Sequence, residues 1–173
     1  MADALREGAE LMTSTFAGRS FSRLAAAALL ALSMLSSVAV QAQTAAQVAR
    51  DWGLVGTWSD DCSIPASRQH VWLTYAVRDG KLYYEQELGD SRTSSQIASA
   101  RLRADGNLEI VIIFSAVSPP QTRLNVNTRD ANGRFRTLIS KNIDTDEHSI
   151  RDGVFAHNGK QTNWLSRCSR TGS

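Results

Sequence analysis

The sequence predicts an all-β protein: an up-and-down antiparallel meander of eight or nine strands, closed into a small barrel and preceded by a short helix. Three observations predict it. Runs rich in β-branched and aromatic residues recur between residues 55 and 169. Four hairpin-type pairs, Asp79-Gly80, Asp105-Gly106, Asn132-Gly133 and Asn158-Gly159, separate those runs, their glycines 26, 27 and 26 positions apart. Such pairs tolerate the positive φ that tight hairpins require. Finally, Cys62 and Cys168 stand beside the first and last runs.

The first element is an address. The run from Leu24 to Val40 carries no charge, follows Arg19 and Arg23, and leads into Val40-Gln41-Ala42. A basic flank, an apolar core and a small-x-small end are the parts of a secretory signal. Residues 1–42 therefore read as a signal peptide and 43–173 as one β-barrel domain, periplasmic or secreted, without stable membrane insertion after cleavage. Asp3, Glu7 and Glu10 are foreign to a basic leader, so Met12 reads as the better initiator.

Thr44 opens the helix as its cap, with Gln47 three residues on, and Gly53 ends it. Strands are expected at 55–61, 70–77, 81–88, 94–104, 107–116, 121–129, 134–143, 149–157 and 161–169. In 121–129, Leu124 and Val126 alternate with Arg123, Asn125 and Asn127, the pattern of a half-buried strand. The expected interior is Leu82, Tyr84, Ile110, Ile112, Phe114, Leu124, Val126, Phe135, Ile139 and Val154. Longer connections fall at 62–69, 89–93, 117–120 and 144–148. An alternating array then puts the four tight turns at one end and the long loops at the other. Nine strands leave the first and last parallel, so either one assignment is wrong or the ninth packs outside an eight-stranded barrel. Arg and Glu on both faces of several strands argue against an integral outer-membrane barrel.

In an oxidising compartment Cys62 and Cys168 are expected to bridge, clasping the first strand to the last. Gly56 and Trp58, with Arg167 near the chain end, resemble the kernel of the lipocalin and calycin barrels. There a Gly-x-Trp on the first strand packs with an Arg from the last. The resemblance implies an eight-stranded barrel that holds a small apolar ligand. The chain also resembles small exported proteins of proteobacteria.

Composition narrows the partners. The 19 Lys and Arg against 17 Asp and Glu give a net charge of +2, too little excess for bulk nucleic-acid binding. The run Asp144-Thr145-Asp146-Glu147-His148 reads as a solvated acidic loop, so no metal site or cofactor is assigned. His70 with Asp60, Asp61 and Ser63 has acid/base chemistry but lacks a nucleophile elbow, so no catalytic residue is assigned. Arg101, Arg103, Arg123, Arg129, Arg134 and Arg136 read as cross-strand partners of acids such as Glu85 and Glu109, or else as a basic stripe.

The leading expectation is a barrel binding a small apolar or amphipathic ligand at its long-loop end. Its candidate lining is Trp72, Tyr84, Phe114, Phe135, Trp164 and His70. One alternative is an envelope protein binding a protein or polyanionic partner through its surface. Another is a small hydrolase or isomerase using His70 and nearby acids. The sequence leaves the oligomeric state open.

Overall fold

The computed structural model describes residues 42–169. The signal peptide expected at 1–42 lies almost wholly outside them. Among the described residues, no helix is long and apolar enough to cross a membrane.

Helix α1 (Ala45–Trp52) starts where Thr44 Oγ1 accepts the Gln47 amide at 3.2 Å, and ends at Gly53 with φ +85°. Ala46, Val48, Ala49 and Trp52 form its buried face, which packs on β3 and β4. The strands are β1 (Gly56–Ser59), β2 (Trp72–Arg78), β3 (Lys81–Glu87), β4 (Arg92–Leu102), β5 (Leu108–Phe114), β6 (Gln121–Arg129), β7 (Phe135–Asn142), β8 (His148–Arg151), β9 (Val154–Phe155) and β10 (Ser166–Cys168). They form one antiparallel sheet in the order β10-β1-β2-β3-β4-β5-β6-β7-β8-β9. Sequence neighbours pair throughout, as a meander requires. Only β10 returns, to lie beside β1 with Arg167 opposite Trp58.

The sheet is bent far enough for its two halves to touch. Phe135 of β7 meets Trp58 of β1 edge-on at 4.8 Å and Tyr75 of β2 at 5.9 Å. Register shifts between β4 and β5, β6 and β7, and β7 and β8 supply local bends. Yet the sheet does not close into a barrel. β10 and β9 remain its edges, and they are too short to zip together. The segment before β10 pairs with the far side not as a strand but at two isolated bridges, Leu165 with Phe135 and Gln161 with Val154.

A second difference concerns the turns. The expected eighth strand, 149–157, breaks at Asp152-Gly153, where both residues have positive φ, 52° and 75°. This is a fifth pair of the same hairpin chemistry. It divides the segment into β8 and β9, gives ten strands rather than eight or nine, and moves Asn158-Gly159 to the long-loop side.

A third is the polarity of β6. Asn125 sits opposite Ile110, which is fully buried in the core, and Asn127 sits opposite Leu108, also fully buried. Strand alternation therefore sends Arg123, Asn125 and Asn127 inward and Leu124 and Val126 to the other face, the reverse of the expected facing, although Val126 is buried there as expected. Ile139, opposite Val126, leaves the interior with them. Leu82, Ile110, Ile112 and Phe135 are core residues, whereas Val154 is half-buried.

Candidate functional site

The tight-turn end of the interior is filled. Trp52, Leu54, Trp58, Tyr75, Leu82, Ile97, Leu108 and Phe135 share one apolar cluster beneath α1. The indole N–H groups are satisfied in place: Trp52 Nε1 donates to Gly106 O at 3.0 Å and Trp58 Nε1 to Leu54 O at 2.7 Å. Arg167 lies 5.7 Å from the Trp58 ring centre and donates to Val55 O. A Cβ on Gly56 would stand 2.7 Å from Arg167 Nε, so this approach requires glycine. The Gly56–Trp58–Arg167 group thus comes together as a plug. The Cys62–Cys168 disulfide is present beside it, with Cα atoms 5.4 Å apart. Cys168 lies in register with Thr57, near the start of β1 rather than at the long-loop end.

The opposite end is hollow. A cavity of about 440 Å³ opens there among β2, β3, β5–β9 and the segments 60–71 and 162–165. Leu73, Tyr84, Phe114, Ile150, Phe155 and Leu165 supply apolar surface. Arg123, Asn125, Thr137 and Ser140 form a polar stripe along β6 and β7. Arg123 donates through Nη1 to Ser149 Oγ at 2.8 Å and through Nε to Gln121 Oε1 at 3.2 Å. Among the described residues it has no carboxylate partner. Asn125 Oδ1 is buried without a partner, and so is Nδ2 of Asn127, one step further along the same face. Buried polar atoms are rarely left so. Burial pushes the Tyr84 phenol well above its ordinary range, and that of Tyr75 behind it likewise. Both present neutral hydroxyls at neutral pH.

Three of the six candidate lining residues, Tyr84, Phe114 and His70, line this cavity. Phe135 belongs to the plug. Trp72 precedes the inward-facing Leu73, so alternation turns it outward, where its Nε1 donates to Ile64 O at 3.0 Å. Trp164 stands between the cavity-lining Asn163 and Leu165, and its ring is covered by the guanidiniums of Arg136 at 4.8 Å and Arg134 at 5.6 Å. Arg123 and Asn125 were missed because their alternation with Leu124 and Val126 fits either face.

His70 sits at the cavity rim inside a local network. Its Nδ1 lies 3.0 Å from Asp60 Oδ1, and its Nε2 lies 2.9 Å from Ser59 Oγ and 2.7 Å from Asp61 O. Asp60 Oδ2 accepts from Asn163 Nδ2 at 2.7 Å. The hydroxyl brought to His70 is thus Ser59, which is fully buried, and not Ser63. Ser63 instead binds Asp61, and its hydroxyl and amide hold that carboxyl below the usual range. A hydroxyl with no exposed surface cannot meet a substrate, so this geometry serves to tie loop 60–71 to β1 and to Asn163.

The other clusters disperse. Arg101 and Arg103 pair with Glu109, Arg134 with Asp130, and Arg129 stacks on Trp52 at 5.2 Å. In the acidic loop, Asp146 pairs with Lys141. Among the described residues no three His, Cys, Asp or Glu side chains gather to hold a metal ion. No protein-family model matches the chain, and no curated protein or solved structure matches it.

Proposed function

We propose that this is an exported binding protein that takes a small amphipathic ligand into the cavity at its long-loop end. The observation that carries the reading is the cavity itself: about 440 Å³, its wall shared between apolar side chains such as Leu73, Tyr84, Phe114 and Ile150 and inward polar groups such as Arg123, Asn125 and Thr137. That is the composition of small-molecule sites, which span roughly 300–1,000 Å³. The reading keeps from the lipocalin resemblance only the apolar pocket opposite a plugged end. Export is supported by the Cys62–Cys168 bridge, since disulfides persist in oxidising compartments.

The test uses anilinonaphthalene sulfonate, a fluorescent amphiphile, with the oxidised chain. One dye should bind per chain, and Leu73→Trp, which fills the cavity from β2, should remove that binding while keeping the melting temperature near that of the parent. Absent binding, or binding indifferent to Leu73→Trp, would overturn the reading.

A further inference from the structure

Resting on that reading, we infer that the ligand is a facially amphipathic acid: polar along one flank, hydrocarbon along the other, with an anionic oxygen that meets Arg123. Beyond the polar groups at the rim (Asp60, Gln69, His70, Gln86 and Asn163), the polarity of the cavity wall follows β6 and β7. Arg123 and Asn125 follow one another on the inner face of β6, roughly 7 Å apart at strand spacing. Ser140 stands beside Asn125 on β7, in register with it. Across the cavity the bent sheet presents Leu73 and Tyr84, with Gln86 next to Tyr84 nearer the mouth. A simple fatty chain would lay methylenes against Asn125 and leave its oxygen unpartnered, which is costly. A ligand with hydroxyls along one side avoids this. The Asn125 amide turns about a broad terminal torsion, so its Oδ1 can aim at such a hydroxyl.

The charge follows from what Arg123 lacks. The exterior arginines Arg78, Arg92, Arg101, Arg103 and Arg134 each hold a carboxylate. Arg123 lines the cavity with only neutral partners, Gln121 and Ser149, and its Nη2 is uncommitted among the described residues. The one carboxylate in the cavity wall, Asp60, is engaged by His70 and Asn163, so Arg123 favours an anion over a neutral polar group. Gln121 begins β6 at the long-loop end, so Arg123 lies nearer the mouth than Asn125 and Asn127. The acid therefore sits outward and the hydroxylated flank runs inward along β6.

Calorimetry with cholate and deoxycholate, both below their micelle concentrations, tests this in the unmodified chain. The two acids share a ring skeleton, and cholate carries one more hydroxyl on its polar face. Apolar burial alone ranks deoxycholate first. The stripe ranks cholate first, by about two- to tenfold for one hydrogen bond. Arg123→Gln should weaken cholate by about ten- to a hundredfold, and Arg123→Lys by less. Deoxycholate binding more tightly than cholate would overturn the polar-flank assignment, and cholate binding unchanged in Arg123→Gln would overturn the acid assignment. Either result leaves the cavity reading intact if anilinonaphthalene sulfonate still binds and Leu73→Trp still blocks it. Loss of all three ligands in the parent chain would remove that reading as well.

Discussion

The two ends of the interior are built from the same ten strands but solve different problems. At the tight-turn end, Trp52, Trp58, Tyr75 and Phe135 fill the space, and every indole N–H has a carbonyl partner. At the long-loop end, β6 turns Arg123 and Asn125 inward and leaves an acceptor without a donor. One end is packed with aromatic side chains, the other keeps an open cavity. The lesson is that burial by itself does not mark a core. Asn127, fully buried opposite Leu108 of the filled cluster, leaves its Nδ2 without a partner as well, so what separates the ends is the aromatic packing at one and the open space at the other.

This contrast can be broken by experiment. The largest expected effect is at the plug. Phe135 is fully buried and touches three aromatic rings. Phe135→Ala should cost about 3–5 kcal/mol in urea unfolding. Phe114→Ala, half-buried beside the cavity, should cost only about 1 kcal/mol, because it enlarges a space already open to solvent. Equal losses would mean that the ends do not differ.

A smaller effect comes from alkali. The folded phenols of Tyr75 and Tyr84 are raised by burial above the value near 10 that they have unfolded. Their contribution is fully present below about pH 10. As pH rises beyond it, the unfolded chain loses protons that the folded chain keeps, so stability falls. The slope reaches about 1.4 kcal/mol per pH unit for each phenol. Tyr75→Phe and Tyr84→Phe should each flatten the decline, read as unfolding midpoints from pH 9 to 11. A decline that neither variant alters would place its origin outside both ends.

The smallest effect should have the opposite sign. Asn125→Leu removes the unpartnered acceptor and should stabilise the unliganded chain by about 1 kcal/mol. It should also abolish the preference for cholate over deoxycholate. Destabilisation by this variant would show that Asn125 already has a structural partner.

Much of the meander was legible because hairpin chemistry is local. Asp79-Gly80, Asp105-Gly106 and Asn132-Gly133 fix three turns by backbone conformation alone, and each is at positive φ at its glycine. Asp152-Gly153 carries the same signal, but it lies inside a run that also reads as continuous strand. The site was harder to read. Period-two alternation tells which residues share a face, not which face is inside. For Leu124 and Asn125 the usual rule of apolar inward gave the wrong side, because β6 lines a cavity and not a core; Val126 shares the face of Leu124 yet is buried. Edge pairing was likewise invisible: Leu165 meets Phe135 across a separation that no local pattern encodes.

The bridge between Cys62 and Cys168 has a consequence for the protein's persistence. It joins positions 106 apart, so nearly every exposed loop lies inside the ring it closes. The loop 115–120, exposed throughout, is a natural point of protease attack. A cut there yields no free fragments. The two pieces stay covalently joined and remain aligned through β5 and β6 on one side and β1 and β10 on the other. A nicked molecule is thus retained as one particle.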